Sequence, residues 1–241
     1  MRILIVNDDS ISATQLVPLI RWCQKLGEVT VAVPEFEQSG KSHGIELHKA
    51  FRARLWELLP GVEVWAIDST PADCVRFAVL GLKKQFDLVI SGINKGYNIG
   101  TDALYSGTVA AVSEAGIIGL PAIALSTTPG YYEQAVKHLD MVWEYMQEHK
   151  LLEQHSLYNI NIPPEPVGIR ITKQGGSFYS DDFVLQQDDM YMPKGLLIYE
   201  NKHDLTLDTD CVHAGFISIM PLTINKTDMV MYEKLKEQNK S

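Results

Sequence analysis

Two adjacent aspartates follow the first apolar segment of the chain. Residues 2–9 read RILIVNDD, so a run of branched apolar residues is followed by Asn7 and then by Asp8 and Asp9. In an open α/β sheet, ligands bind beyond the carboxyl ends of the parallel strands. Two carboxylates at such an end can bind a hard cation such as Mg²⁺, which takes oxygen ligands. The alternative is that one aspartate caps the helix that follows while the other is solvated.

A second segment is rich in glycine and asparagine. It reads SGINKGYNIGTDALYSGTV over residues 91–109, and a loop of this length inside a compact domain usually has a function. Ser106, Gly107 and Thr108 lie where the next helix should begin, and the free N–H groups and dipole of a helix start favour an anion. The segment matches neither of the common nucleotide-binding loops, GxGxxG and GxxxxGK[ST]. A purely structural glycine-rich turn is the alternative.

Two further loops carry polar side chains at the same predicted edge. PEFEQSGKSHG (34–44) supplies the hydroxyl of Ser39, the flexible backbone of Gly40 and the imidazole of His43. We interpret His43 as a hydrogen-bond partner behind the site, with a surface or core histidine as the alternative. In DSTPADC (68–74), the threonine before proline predicts a helix cap rather than a binding site.

The elements that must position these loops alternate regularly. Strands are predicted at 3–6, 28–34, 62–67, 87–91 and 121–126, and helices at 13–26, 71–82, 104–117 and 131–149. This alternation predicts an α/β fold with a doubly wound, mostly parallel, Rossmann-like sheet. The acidic pair, the serine loop and the asparagine-glycine segment then converge on one cleft. Carboxylates for a cation beside donors for an anion are the combination used in phosphoryl transfer.

The pattern of the sequence changes after residue 150. Strands are predicted at 157–164 and 168–173, no clear helix is predicted over 185–210, and a closing helix is predicted near Met229–Asn239. We therefore expect an α/β catalytic core over residues 1–165 and a β-rich C-terminal extension over 166–241.

Composition restricts the partners and the compartment. The 241 residues carry a formal net charge of −9, which disfavours a nucleic-acid polymer as partner. A small phosphate ester stays compatible with this charge, because a bound cation reverses the local potential. The three cysteines are far apart, which suits a reducing compartment, and no run of 18 apolar residues occurs. We expect a cytoplasmic protein that does not bind membranes.

With these motifs, the chain resembles the SurE family of survival proteins, which are metal-dependent 5′-nucleotidases. The matching segments occur in the family's order and span nearly the whole chain. They are RILIVNDD, PEFEQSGKSH, STPADCV, SGINKGYNIGTDALYSGTV, NINIP at 159–163 and GFISIMPL at 215–222.

The resemblance implies roles for individual residues. It implies that one divalent cation per subunit, Mg²⁺ or Mn²⁺, is bound by Asp8, Asp9, Ser39 and Asn94. It further implies that phosphate is bound by Asn98 and the turn Ser106–Gly107–Thr108, with Gly40 as an additional candidate. Asp8 and Asp9 would act in catalysis by positioning and activating a water, and whether Asp8 is a nucleophile, a base or only a ligand stays open.

The substrate implied by the resemblance is a nucleoside 5′-monophosphate, hydrolysed to nucleoside and phosphate. Activity toward 3′-nucleotides and short polyphosphate is left open, and a homodimer or homotetramer is expected.

Three positions depart from the family pattern, namely Ser10 and Ser69, where glycine is usual, and Met220, where threonine is usual. The alternative is a non-enzymatic phosphoacceptor of the receiver type, while the Asp-x-Asp motif of haloacid dehalogenase phosphatases is absent after Asp8.

Overall fold

The computed structural model describes residues 1–240, and its centre is a nine-stranded sheet with the order β3-β4-β2-β1-β5-β6-β7-β11-β8. A separate two-stranded antiparallel hairpin is formed by β9 and β10. The strands are β1 (Arg2–Val6), β2 (Glu28–Pro34), β3 (Ala53–Leu55), β4 (Glu63–Ile67), β5 (Leu88–Lys95), β6 (Ala122–Thr127), β7 (Leu157–Ile162), β8 (Ile169–Ile171), β9 (Tyr179–Gln187), β10 (Met190–Leu197) and β11 (Ile217–Pro221).

Seven α-helices accompany the strands. They are α1 (Leu16–Cys23), α2 (Pro71–Arg76), α3 (Gly107–Ile118), α4 (Tyr132–Glu148), α5 (Leu151–Gln154), α6 (Asp208–His213) and α7 (Met229–Leu235). A π-turn continues α2 over Phe77–Gly81, and 3₁₀ turns occupy Gly100–Tyr105 and Lys236–Lys240. None of the described helices is long and apolar enough to cross a membrane.

The sheet is mostly parallel and doubly wound, as predicted. Strands β4, β2, β1, β5, β6 and β7 pair in parallel, whereas β3 and β11 run antiparallel to their neighbours β4 and β7. The alternation of side chains along β1 explains the two layers. Ile3 and Ile5 pack with α1 and α4, whereas Leu4 and Val6 pack with α2 and α3 on the opposite face.

Some boundaries differ from the predictions around the glycine-asparagine segment. Strand β5 continues to Lys95 instead of ending at residue 91, so its polar residues extend the sheet. Helix α3 begins at Gly107 rather than at 104, because the hydroxyl of Ser106 accepts the N–H of Val109 and caps the helix. The intervening residues 100–105 form a 3₁₀ turn. The short edge strand β3 has no counterpart among the predicted strands, since three residues give too little periodicity.

The C-terminal region contributes to the main sheet as well as forming the hairpin. Strands β8 and β11 are its last two strands, and α6 lies partly within the segment for which no helix was predicted. The closing helix predicted near residues 229–239 corresponds to α7 and the 3₁₀ turn after it. The division into a core of residues 1–165 and an extension of 166–241 stays a prediction.

Candidate active site

Asp8 is a buried carboxylate at the end of β1. Its Oδ1 accepts a 2.6 Å hydrogen bond from the hydroxyl of Thr108, in the first turn of α3. A Cβ added at Gly107 would lie 2.9 Å from Asp8 Cβ, so only glycine permits this close approach of helix and carboxylate. Burial raises the pKa of the Asp8 carboxyl, while the hydroxyl and N–H of Thr108 act in the opposite direction. The start of α3 thus contacts the side chain of Asp8, and phosphate binding by the turn Ser106–Gly107–Thr108 stays a prediction.

Asp9 is partly exposed and lies beside it. Its Oδ2 accepts hydrogen bonds from Gln15 Nε2 at 2.6 Å and from the Lys95 N–H at 3.0 Å. The pKa of Asp9 is raised to about 6, mainly by burial and secondly by the negative charge of Asp8. Gln15 also donates to the carbonyl of Ile93 at 2.9 Å, so it holds Asp9 against β5.

The turn around the two aspartates is held by Asn7 and Ser10. The side chain of Asn7 donates to the Ser10 carbonyl at 2.9 Å, and the Asn7 Oδ1 is buried with no hydrogen-bond partner among the described residues. Ser10 has φ +78°, in the left-handed region that favours glycine. The glycine expected from the resemblance therefore fits this position, and Ser10 tolerates a strained backbone there.

Asn94 lies near the end of β5, directly before the Lys95 N–H that contacts Asp9. Its Nδ2 donates to the Gly96 carbonyl at 2.8 Å and lies 3.5 Å from Asn98 Oδ1. Because the nitrogen is used as a donor, Oδ1 is the Asn94 atom available for a cation. This assignment of O and N follows from the hydrogen bonds.

Asn98 is fixed from three sides by the neighbouring strands. Its Nδ2 donates to Ser126 Oγ at 2.8 Å, and its N–H donates to Asn161 Oδ1 at 2.8 Å. Its carbonyl accepts from Asn159 Nδ2 at 2.7 Å and from Asn161 Nδ2 at 3.1 Å. The side chain predicted to bind phosphate is thus held in place by β6 and β7.

The serine loop is anchored over Asp8. The Gln38 N–H donates to the Asp8 carbonyl at 2.8 Å. Ser39 is the next residue along the chain, so it lies close to the acidic pair. Ser39 is exposed, and its hydroxyl donates to Glu37 at 2.8 Å. Glu37 raises the pKa of both aspartates, which places a third negative charge near them. Gly40 is exposed with φ +70° and room around it.

His43 faces another partner. Its Nε2 lies 2.8 Å from the buried carboxylate of Glu114, which Arg76 also approaches at 3.4 Å. This contact ties the serine loop to α3, so His43 acts on the loop rather than on the aspartates. Ser106 is similarly committed to capping α3, and the Thr108 side chain is committed to Asp8.

Several residues of the site were not predicted from the sequence. They are Gln15, Glu37, Ser126, Asn159 and Asn161. The alternation Asn-Ile-Asn in 159–161 is a usable signal, since it places both amides on one face of a buried strand. Gln15 and Glu37 carry no comparable signal, because isolated polar residues in loops are common.

The arrangement fits a hard cation. Among the described residues, Asp8 and Asp9 form no ion pair, and each has one carboxylate oxygen turned to a neutral donor and one left over. With Asn94 Oδ1, these atoms form an all-oxygen set, which suits Mg²⁺ or Mn²⁺. The described part of the chain contains no cluster of three or more His, Cys, Asp or Glu residues arranged for a metal.

Comparisons with known proteins identify the family. A protein-family model described as "Survival protein SurE" matches residues 3–181. The "5'-nucleotidase SurE" of Trichormus variabilis is 36% identical over an alignment 265 positions long, covering 99% of this chain and 98% of that protein. That of Thermosipho melanesiensis is 35% identical, covering 99% and 97%. The solved structure of the SurE protein from Aquifex aeolicus is similar with a TM-score of 0.79 and 28% identity, covering 99% of this chain and all of that one.

Proposed function

Because the chain belongs to the SurE family of survival proteins, we propose that its cleft binds one divalent cation and uses it to hydrolyse nucleoside 5′-monophosphates. The protein is a 5′-nucleotidase, a phosphatase that acts on nucleotides, and the receiver-type alternative is not favoured. We further propose which residues carry out the reaction and that the cation is Mg²⁺ or Mn²⁺.

One observation carries the assignment of the site. Asp8 and Asp9 lie side by side at the end of β1, and among the described residues neither forms an ion pair; only the more distant charge of Lys95 acts to lower the pKa of Asp9. Such a pair is costly in a folded protein unless a positive charge compensates it. A divalent cation provides that compensation, and Asp8, Asp9, Asn94 and Ser39 are the residues that would hold it.

The other residues of the cleft orient these ligands and the substrate. Thr108 fixes Asp8, and Gln15 fixes Asp9 against β5. Asn98, held by Ser126, Asn159 and Asn161, would donate to the phosphate, with Ser106, Gly107 and Gly40 at the same edge. When bound, the cation neutralises negative charge that develops on the phosphoryl oxygens. Asp8 and Asp9 position the attacking water in this scheme.

We also propose that the protein forms a homodimer or homotetramer through the hairpin β9–β10. Nearly all of the hairpin is exposed, including the large apolar side chains of Phe183, Leu185 and Tyr191. A lone two-stranded hairpin is marginal in water, and an exposed apolar surface marks an interface. A second copy of the chain would cover it.

The three cysteines are free and buried, which supports our placement of the protein in the cytoplasm.

Phosphate release from a panel of nucleotides tests the proposal. The panel contains 5′- and 3′-mononucleotides and short polyphosphate, each with Mg²⁺, Mn²⁺ or EDTA. We expect cation-dependent release from 5′-mononucleotides that EDTA abolishes and that Asp9→Asn lowers by about 100-fold or more. Asp87→Asn is the matched control, because it removes the same charge at the opposite, amino end of the strands, where Asp87 pairs with Arg2. Full activity of Asp9→Asn in a native fold would refute the assignment.

A further inference from the structure

A buried carboxylate far along the chain holds the turn next to the cleft. Asp208, the first residue of α6, is fully buried. Its Oδ2 accepts the Gly100 N–H at 2.9 Å. Its Oδ1 accepts the N–H groups of Gly175 at 2.7 Å and Thr209 at 2.8 Å. One carboxylate therefore joins the 3₁₀ turn 100–105, the segment 173–177 and α6.

The segment 173–177, which we call the strap, lies directly on that turn. Gly100 has φ +54°, and a Cβ added there would lie 1.9 Å from the Gly176 carbonyl oxygen, so no larger residue fits. The Thr101 hydroxyl donates to Ser177 Oγ at 2.9 Å. Because the strap leads directly into β9, the turn is linked to the base of the hairpin.

The other end of the turn enters the cleft. Residues 100–105 connect Asn98 to Ser106, where α3 begins. The Ser42 N–H donates to the Tyr105 carbonyl at 2.9 Å, and the Ser42 hydroxyl donates to the Leu104 carbonyl at 2.7 Å. The turn thus supports the serine loop as well as the start of α3, whose Thr108 holds Asp8.

We propose that Asp208 is a positioning residue for the nucleotidase reaction. Resting on the proposed function above, this role is to hold the turn 100–105 so that Asn98 and the start of α3 meet the phosphate in the right geometry. The Asp208 carboxylate accepts three N–H groups and forms no ion pair among the described residues, so its charge is used to hold backbone. It does not contact the substrate, and its loss should weaken phosphate binding more than it slows the chemical step.

Asp210 provides a matched control on the same helix. It is equally buried, and its carboxylate accepts four hydrogen bonds, from the Tyr199 hydroxyl, the N–H groups of Lys202 and Asp204 and, at 3.5 Å, the Thr209 hydroxyl. Three of these donors belong to residues 199–204 and the fourth to α6 itself, and none belongs to the turn 100–105. Asp208→Asn and Asp210→Asn therefore disturb α6 to a similar degree but differ in what they release.

The experiment compares the two full-length variants with the wild type. Steady-state kinetics with 5′-AMP and saturating Mn²⁺ give kcat and KM, calorimetry gives the affinity for inorganic phosphate, and hydrogen exchange reports the amides of residues 99–106. For Asp208→Asn we expect KM to rise and phosphate affinity to fall about tenfold, kcat to fall less than about threefold, and the Gly100 and Thr101 amides to exchange faster. Asp210→Asn should keep wild-type values for all four.

Equal effects of the two variants, or unchanged exchange at Gly100 in Asp208→Asn, would overturn the proposal. Should Asp208→Asn fail to fold, Gly175→Ala takes its place, because the added Cβ would lie 2.4 Å from Thr209 Oγ1 and 2.9 Å from Asp208 Oδ1 and displace the strap. Gly175→Ala should then show the same rise in KM and faster exchange, and wild-type behaviour would count against the role of Asp208. If the wild type hydrolyses no nucleotide, the proposed function fails while the exchange data still decide whether Asp208 holds the turn.

Discussion

The hydroxyl of Thr108 donates a 2.6 Å hydrogen bond to Asp8 Oδ1 across 100 residues of sequence, with both side chains buried. The first turn of α3 is thereby tied to the end of β1. Because a carboxylate oxygen occupied in this way cannot rotate freely, the other oxygen of Asp8 is held in one direction. The helix start serves to orient a proposed cation ligand, and Gly107 makes the approach possible.

Thr108→Val removes this hydrogen bond while keeping the shape of the side chain. We expect the Mn²⁺ concentration for half-maximal phosphate release to rise about tenfold and the free energy of unfolding to fall by about 1–3 kcal/mol, because a buried acceptor loses its donor. Thr108→Ser keeps the hydroxyl and should need no more than about twice the wild-type Mn²⁺ concentration. Identical Mn²⁺ requirements for the valine and serine variants would show that the hydrogen bond does not orient Asp8.

Asp9→Asn should stabilise the cation-free protein at high pH. Burial and the charge of Asp8 raise the pKa of Asp9 to about 6 in the folded state, from an ordinary value of 3.8. The folded state therefore favours protonated Asp9, and this stabilisation is fully present below pH 3.8 and is lost as the pH rises through 6. Asparagine stays neutral, and its Oδ1 can still accept from Gln15 and Lys95.

Thermal melts in EDTA at pH 5, 6, 7 and 8 measure this effect. At pH 8 we expect Tm of Asp9→Asn to exceed the wild-type value by about 2–4 °C, equivalent to about 1 kcal/mol after allowance for the partial exposure of Asp9. The difference should shrink toward pH 5. Asp87→Asn should not gain stability, because Arg2 lowers the pKa of Asp87 to about 2 and the folded state favours its charged form. A Tm difference that is constant with pH would contradict an origin in the raised pKa of Asp9.

Cation binding should show the complementary pH dependence. Protons and a divalent cation compete for the same two carboxylates, whose pKa values are both raised in the fold. We expect Mn²⁺ at about 1 mM to raise the wild-type Tm by several degrees at pH 8 and far less at pH 5. In Asp9→Asn the increase at pH 8 should be largely lost. A Tm increase that is equal at both pH values would place the cation elsewhere.

The strands and the edge at which their loops converge could be predicted from the sequence because they follow from local periodicity, although β5 ends at Lys95 rather than at residue 91. β1 is a continuous apolar run, and its buried side chains alternate between two helix layers as such a run requires. The parallel sheet then brings Asp8, Asp9 and Asn94 to one edge. The start of α3 was predicted wrongly because a specific contact sets it. The Ser106 cap fixes the first turn of the helix, whereas the prediction followed the apolar residues before it.

The partners of these residues could not be predicted, because they depend on contacts between distant segments. Asn98 is held by Ser126 and by amides more than 60 residues away, and the turn after it by Asp208, 108 residues from Gly100. Nothing in the spacing of asparagines along the chain specifies which of them will meet. Thr108 shows the same limit, since its position at a helix start predicts an anion site but not the hydrogen bond to Asp8.

Ser10→Gly should stabilise the protein without changing its activity. Ser10 has φ +78°, a conformation that costs a residue with a Cβ about 1 kcal/mol and that glycine adopts freely. The Ser10 hydroxyl accepts only a long, 3.3 Å bond from the Ser12 N–H, so little is lost with it. We expect Tm to rise by up to about 2–4 °C with unchanged KM. Ser12→Gly, in the same turn but with an ordinary φ, should lower Tm, and a gain of similar size there would rule out backbone strain as the cause.

Leu185→Asp should break the proposed assembly. Leu185 lies on β9 opposite Tyr191 of β10 and is 54% exposed, so a second copy of the chain would have to bury it on association. An aspartate at this position would have to be desolvated without a partner, which costs more than the apolar contact gains. Light scattering coupled to size exclusion should give a dimer or tetramer for the wild type and a smaller species for Leu185→Asp.

Leu80→Asp is the matched control, since Leu80 is 58% exposed but lies on the π-turn after α2, outside the hairpin. Assembly of Leu185→Asp at the wild-type mass would exclude this face of the hairpin from the interface, and a monomeric wild type would remove the oligomer proposal altogether.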